Sequence, residues 1–256
     1  MIGFNGLGKH GRLGNQMFQY AALKGIAEKH DYKWCIPPSN FSQPYYEHQL
    51  FKIFNLHSLK KVGYVPDDYP LIIETDFYFD DYLFSNCPDN VNLGGFFQTE
   101  KYFKHIKDSI KKDFKFKDNI LGPCEKIINK FGDCISLHIR RADYISINQF
   151  LDIEYYIKAL SYFEDEKVLV FSDDTKWCRE QELFQSDRFF ISPFNNGIDL
   201  CLMSLCSGHI IANSSFSWWG AWLSNSSTVI SPSKWFHNDP TRNDIKDIIP
   251  DNWIKI

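Results

Sequence analysis

Residues 15–30 set Phe18, Ala21, Ala22, Gly25 and Ile26 at the i, i+3, i+4, i+7 and i+8 spacing of one helix face. This predicts a helix that packs on a strand begun by residues 1–4. From about 37 to 99 the alternation is irregular, because Pro44, Pro66, Pro70 and Pro88 interrupt an aromatic-rich stretch. Only a short strand near 91–97 is expected there. Helices are expected over 100–112 and 119–131. From 133 onward the pattern is regular. Short apolar, β-rich runs at 134–139, 168–171, 189–191, 210–212 and 228–230 alternate with helical patterns at 153–163, 174–183, 197–206 and 216–224. Such alternation implies right-handed β-α-β units and a doubly wound, mainly parallel sheet. The change of pattern puts a domain boundary between about 112 and 132. We therefore expect an N-terminal domain at 1–120 and a C-terminal domain at 121–256, the last residues packing back on the first domain.

One glycine pattern complicates the first half. Gly6-Leu7-Gly8-Lys9-His10-Gly11 spells G-x-G-x-x-G directly after the first strand. A dinucleotide cradle also needs its third glycine inside the helix and an acidic residue at the end of the next strand. Gly14 places the helix start near Asn15, and the next strand, 33–36, runs into Pro37-Pro38-Ser39 with no carboxylate. What remains is a glycine-rich loop feeding a helix N-terminus, a place where backbone N–H groups favour an anion.

Composition narrows the field of functions. The chain has 256 residues, 44% apolar, with a net charge of −4 and basic residues scattered along it, which excludes a nucleic-acid surface. Aromatics make up 17%, which favours a ligand with flat faces. No run of about 18 apolar residues occurs, and no basic segment leads into an apolar one. Seven cysteines without a C-x-x-C read as buried thiols in a reducing compartment. The expectation is a cytoplasmic protein without a transmembrane segment, with at most a peripheral contact at the inner face of the membrane.

In open parallel sheets ligands bind beyond the carboxyl ends of the strands, and three polar clusters fall there. His138-Ile139-Arg140-Arg141-Ala142-Asp143 leaves one strand. Arginine presents a planar fork of donors matched to phosphate oxygens, so the pair suits a diphosphate, although structural Arg–Asp pairing would give the same pattern. Ser172-Asp173-Asp174 ends the next strand. One aspartate caps the following helix, which leaves the other to accept from a base or sugar. Asn213-Ser214-Ser215-Phe216 ends a third strand, with Ser214 or Ser215 as N-cap and Trp218, Trp219 and Trp222 as core.

These clusters and the opening loop resemble the α-1,2-fucosyltransferases of glycosyltransferase family 11. The matching stretches are 11–21 (GRLGNQMFQYA), 138–144 (HIRRADY), 171–174 (FSDD) and 213–222 (NSSFSWWGAW), in the family's order. Ala142 stands where the family usually has glycine, and the chain is somewhat short for the family. The resemblance implies a GT-B architecture, two Rossmann-like α/β domains facing a cleft. It implies inverting transfer of fucose from GDP-β-L-fucose to the 2-hydroxyl of a terminal galactose on a glycan acceptor. By the same resemblance Arg140 grips the β-phosphate, and His138 and Asp143 shape that loop. Asp173 faces the nucleoside, Ser214, Ser215 and Phe216 hold phosphate and ribose, Arg141, Ser172 and Asn213 also belong to the donor-binding set, and Gly14, Asn15 and Gln16 meet the donor from the opposite side. Asn15, Arg140 and Asp143 are the residues expected in the transfer step, Asp143 as proton acceptor. The chain contains no D-x-D, so no metal or other cofactor is expected and Arg140 supplies the positive charge. Two rival readings remain, a non-catalytic sugar-nucleotide or glycan-binding module and a fucosyltransferase of different linkage or acceptor.

Overall fold

The computed structural model describes residues 1–39, 48–224, 226–236 and 246–256. The chain divides into two compact units, Met1–Lys117 with Asp244–Pro250, and Asp118–Asn243 with Asp251–Ile256.

In the first unit β1 (Ile2–Gly3) leads through the glycine loop into α1 (Leu13–Lys29) and then β2 (Trp34–Cys35). Next come α2 (Leu50–Ile53), β3 (Leu71–Ile73), α3 (Asp81–Asn86), β4 (Asn92–Gly94) and α4 (Lys107–Asp113). The four strands form one parallel sheet in the order β2-β1-β4-β3. The helix expected to show one apolar face is instead enclosed almost all round: α1 buries Gln16, Gln19 and Lys24 along with its apolar residues. Each of these side chains has partners, Gln19 through Nε2 to the carbonyls of His10 (3.4 Å) and Gly95 (3.0 Å), although Gln19 Oε1 has none among the described residues. Lys24 Nζ donates to Ser58 Oγ (2.6 Å), Ser109 Oγ (2.6 Å) and Asp113 Oδ2 (2.7 Å), and the Tyr20 hydroxyl donates to the same Asp113 oxygen at 2.9 Å. A buried charge is tolerable only with such complete pairing.

The helix expected over 100–112 is broken into two 3₁₀ turns, Glu100–Tyr102 and Lys104–Ile106, followed by α4. The cause is a close approach. A Cβ on Gly25 of α1 would lie 2.0 Å from the carbonyl oxygen of Tyr102, so the chain at Tyr102–Phe103 runs against the bare backbone of α1. Asp247 ties the returning segment to this unit, accepting from the Phe79 N–H and pairing with Lys101.

The second unit begins with α5 (Asp118–Phe131), which includes Pro123, and continues with β5 (Cys134–Ile139), α6 (Ala142–Ser146), α7 (Ile153–Leu160) and β6 (Lys167–Ser172). Then follow α8 (Thr175–Glu180), β7 (Phe189–Ile191), α9 (Asn196–Leu205), β8 (Gly208–Ile210), α10 (Ser215–Leu223), β9 (Thr228–Ser231) and β10 (Ile254–Lys255). The six strands are all parallel, in the order β10-β9-β8-β5-β6-β7. Read from β7, this is the 3-2-1-4-5-6 order of the doubly wound fold, with the direction of winding reversing between β5 and β8.

The two faces of β5 do different work, as the two-residue period of a strand requires. Ile135, Leu137 and Ile139 join Tyr156, Ala159, Leu160, Val168, Val170 and Cys178 in one core. Ser136 and His138 face the other way. Ser136 Oγ lies 2.7 Å from Nδ1 of His209, whose Nε2 is 2.8 Å from Ser224 Oγ, so a histidine sits in β8 with both ring nitrogens satisfied. That is why β8 begins at Gly208, two positions before the apolar run that marks it in the sequence. Trp218, Trp219 and Trp222 are buried and pack on one another, and Trp253 joins them, as expected of core residues. All seven cysteines are buried and free. No helix among the described residues is long and apolar enough to cross a membrane.

Candidate functional site

The carboxyl ends of β5, β6 and β8 bring the three polar clusters of the second unit together where the winding reverses. At the end of β5 the buried His138 ring sets Nδ1 2.9 Å from Ser217 Oγ on α10 and packs on Phe216, ring centroids 5.6 Å apart. Burial, with the Arg140 charge nearby, pushes this ring down to about 3, so it is neutral at working pH. It joins two strand ends across the reversal and carries no charge of its own.

Arg140 is mostly covered, 13% exposed, and lies between two carboxylates. Its Nη2 pairs with Asp143 on α6 and its Nη1 with Asp173 at the end of β6. Asp173 also accepts the backbone N–H groups of Arg141 (2.9 Å) and Ala142 (3.3 Å), so it starts α6 as well as orienting Arg140. The two aspartates of β6 therefore divide differently from the sequence expectation. Asp174 caps α8 by accepting from the Trp177 N–H at 3.1 Å, but Asp173 is engaged within the site rather than open to a base or sugar. Asp143 is half exposed beside Arg140. Ser172 Oγ accepts from the Asp174 N–H at 2.9 Å, which shapes the same turn.

Arg141 turns the other way. Its guanidinium lies 4.0 Å from the Trp177 ring centroid and 5.3 Å from that of Phe150, with Nε 3.6 Å from Asp174 Oδ2. Stacking on aromatic faces holds a guanidinium in place while leaving in-plane donors available.

From β8, Ser214 caps α10 by accepting from the Phe216 N–H at 3.4 Å, while Ser215 and Phe216 are half-buried at the helix start. Asn213 donates through Nδ2 to the carbonyls of Gln149 (2.8 Å) and Trp235 (3.0 Å); its Oδ1 is buried and has no hydrogen-bond partner among the described residues. The result is a fixed guanidinium, a helix N-terminus and an unfilled acceptor on adjacent strand ends, a setting suited to an anion bearing hydroxyl groups.

Sequence reasoning did not single out Tyr144, Trp177 or Ser217 as site residues. The Tyr144 hydroxyl donates to the Asn213 carbonyl at 3.1 Å, and its ring centroid lies 5.1 Å from the Arg140 guanidinium. Tyr144 and Ser217 stood within the motifs that matched, whereas the Arg141–Trp177 stack has no sequence signature.

Gly14, Asn15 and Gln16 belong to the first unit. Gly14 is buried at the start of α1. Gln16 uses both ends of its amide on the unit itself, donating to the Gly11 carbonyl (3.3 Å) and accepting from the Gln49 N–H (2.9 Å). Asn15 Oδ1 accepts from Gln98 Nε2 at 2.8 Å. Gly11 has φ +87, and a Cβ there would sit 2.5 Å from Asn15 Nδ2. The glycine thus serves a left-handed turn that lets the loop close over Asn15.

Three comparisons bear on this arrangement. The profile described as Glycosyl transferase family 11 matches residues 2–256. An α-1,2-colitosyltransferase of Escherichia coli is 31% identical over 96% of this chain and 96% of its own length. Galactoside alpha-(1,2)-fucosyltransferase 1 of Rattus norvegicus is 25% identical over 86% of this chain and 63% of its own. Among solved structures, POFUT1 in complex with GDP-fucose superimposes with a TM-score of 0.56 at 12% identity, covering 88% of this chain and 94% of that one. Its likeness identifies the fold, two Rossmann-like α/β units of the GT-B class. With the profile spanning nearly every residue, the chain belongs to glycosyl transferase family 11.

Proposed function

We propose that this glycosyltransferase moves L-fucose from GDP-β-L-fucose, with inversion, to the 2-hydroxyl of a terminal galactoside. The observation that carries the reading is Arg140, whose planar fork is held by Asp143 and Asp173 at the point where the sheet's winding reverses. A diphosphate leaving group gains negative charge as its bond to the sugar breaks, and a preorganised guanidinium stabilises that charge more in the transition state than in the ground state. Donor phosphate competes with Asp143 for Arg140. Asp143, half exposed and released by that exchange, is the carboxylate we assign to the acceptor proton. Asn213 Oδ1, which has no hydrogen-bond partner among the described residues, accepts a donor hydroxyl, and Arg141, Ser172, Ser214, Ser215 and Phe216 complete the nucleotide side while Asp173 holds Arg140. By the resemblance of the Gly11–Ala21 segment, Gly14, Asn15 and Gln16 take part from the first unit, Asn15 in the transfer step.

The α-1,2-colitosyltransferase relative makes a colitosyl donor the competing reading. The test is turnover with GDP-fucose, GDP-colitose and a set of UDP-sugars, each with lactose and methyl β-galactoside as acceptors. Faster turnover of GDP-fucose supports the proposal. Preference for GDP-colitose or a UDP-sugar overturns the donor assignment, and binding of GDP without transfer to any galactoside returns the protein to a binding module.

A further inference from the structure

The first unit separates its charges in a way that the order of the chain conceals. Residues 101–117 hold seven lysines against Asp108 and Asp113, and residues 52–64 hold three lysines and no carboxylate. Backbone hydrogen bonds lay the two stretches side by side. The Asn55 N–H donates to the Lys115 carbonyl (3.1 Å), the Leu56 N–H to that of Asp113 (2.9 Å) and the Lys117 N–H to that of Ile53 (3.0 Å). Asp113 turns its carboxylate inward to the buried Lys24, 2.7 Å away, which leaves Asp108 as the exposed acid of 101–117. Lys101 and Lys104 pair with Asp247 and Glu100. Beyond them Lys107, Lys112 and Lys115 are exposed, as are Lys60 and Lys61 on the neighbouring stretch. Lys107 and Lys111 stand one turn apart on α4. Burial, and then the Lys107 charge, push the Lys111 ammonium below the ordinary lysine range, against the weaker pull of Asp108.

The acids of this unit collect elsewhere. Residues 67–89 hold seven carboxylates and no lysine or arginine, around β3 at one edge of the sheet. Lys60 and Lys61 lead instead into Val62, which bridges to Ile36 just past β2, at the other edge. There Val62 is 50% and Tyr64 44% exposed, apolar groups set directly beside lysines. We infer that this lysine face docks the protein on an anionic phospholipid surface, with Val62 and Tyr64 entering the headgroup region. Each lysine near such a surface strengthens binding about fivefold, and an aromatic ring with an apolar neighbour suits the boundary between headgroups and acyl chains. The net charge of −4 does not oppose this, because at physiological salt only charges within about 8 Å of the surface are felt strongly. Nucleic acid shares the negative charge of the membrane, but neither stretch contains an arginine, the side chain whose planar fork reads phosphates and base edges.

The test is flotation of the protein with vesicles of phosphatidylcholine alone and of phosphatidylcholine with about one-third phosphatidylglycerol. Each is run at physiological salt and at about 1 M, where the Debye length falls to about 3 Å. Wild type should bind the anionic vesicles, ignore the neutral ones and come off at high salt. Lys60→Gln combined with Lys112→Gln and Lys115→Gln removes three exposed charges and should weaken that binding by about 100-fold, with thermal unfolding unchanged. Val62→Ser combined with Tyr64→Ser should weaken it too while keeping the salt dependence, since the lysines remain. Equal binding to neutral vesicles, no binding to anionic ones, undiminished affinity in either variant, or tighter binding of poly(U) than of anionic vesicles would each overturn the inference. None of these readouts uses sugar transfer, so the proposed function stands or falls separately.

Discussion

Arg140→Lys keeps a positive charge and removes the planar fork, which makes it the sharpest probe of the phosphate site. The guanidinium engages Asp143 and Asp173 through separate nitrogens, so two directional donors already point from one plane. A lysine ammonium on a flexible stem replaces at most one of them. A hydrogen bond to a charged group is worth about 1.5–3 kcal/mol net, and about 1.4 kcal/mol is a factor of ten in rate. Losing one such contact to the leaving phosphate therefore lowers kcat/KM by roughly 10- to 150-fold. The loss should appear in kcat as well as KM, because charge on that phosphate grows during the reaction. Stability should change less. The half-exposed Asp143 pair is worth about 0–1 kcal/mol, and Asp173 keeps the backbone N–H groups of Arg141 and Ala142. That corresponds to a Tm shift of no more than about 2–4 °C. Initial rates of GDP release with fucose donor and lactose, set beside thermal unfolding of the ligand-free protein, measure both. Near wild-type kcat/KM, or a protein that fails to fold, removes Arg140 from the chemistry and leaves the Arg140–Asp cluster a structural ion-pair network.

Three more expectations follow from the structure. His48, His138 and His209 are buried, and burial lowers their titration to about 4, 3 and 3 from an ordinary 6.5; the stability of the neutral forms is complete above pH 6.5 and is lost as pH falls toward 3. Urea unfolding from pH 7 to 4 should show a slope that His209→Gln reduces by about 1.4 kcal/mol per pH unit, and an unchanged slope would show that this ring is not held neutral. Gly25→Ala should cost about 3 kcal/mol, on the order of 10 °C in Tm, because its Cβ would meet the Tyr102 carbonyl oxygen at 2.0 Å; a Tm within about 2 °C of wild type would refute that close approach. Transfer should persist in EDTA, since we assign the leaving-group charge to Arg140 and the chain has no D-x-D; abolition by EDTA with recovery in Mg²⁺ or Mn²⁺ would reverse that assignment.

The second unit was readable from its pattern because its inner strands β5, β6, β8 and β9 are largely buried on both faces and the strands alternate with helices. The first unit was readable only in part: β1, α1, β2 and β4 lie where the sequence put them, but α2, β3 and α3 were not marked. Its strands span two or three residues, too few for a period, and β3 is an edge strand whose Leu71 and Ile73 are each 57% exposed. Periodicity alone made one helix of 100–112, because the break there comes from Gly25, far away in the sequence. His209 hid the start of β8, since a histidine reads as polar until Ser136 and Ser224 are seen to occupy its ring nitrogens. At the site, the motifs marked the positions where His138, Arg140, Asp173 and Ser214 gather, but not their partners. That Asp173 serves Arg140 and the start of α6, and that Gln98 holds Asn15, are facts of three-dimensional neighbourhood between residues 31 to 83 positions apart.

The most direct test of the account is the structure of the product made from GDP-β-L-fucose and lactose, read by NMR. The account predicts a single fucosylated product with an α-anomeric fucose, its H1 correlated through the glycosidic bond with C2 of galactose. A β-linked fucose, a correlation to any other carbon, or GDP-fucose left intact by a protein that binds it would contradict the central claim.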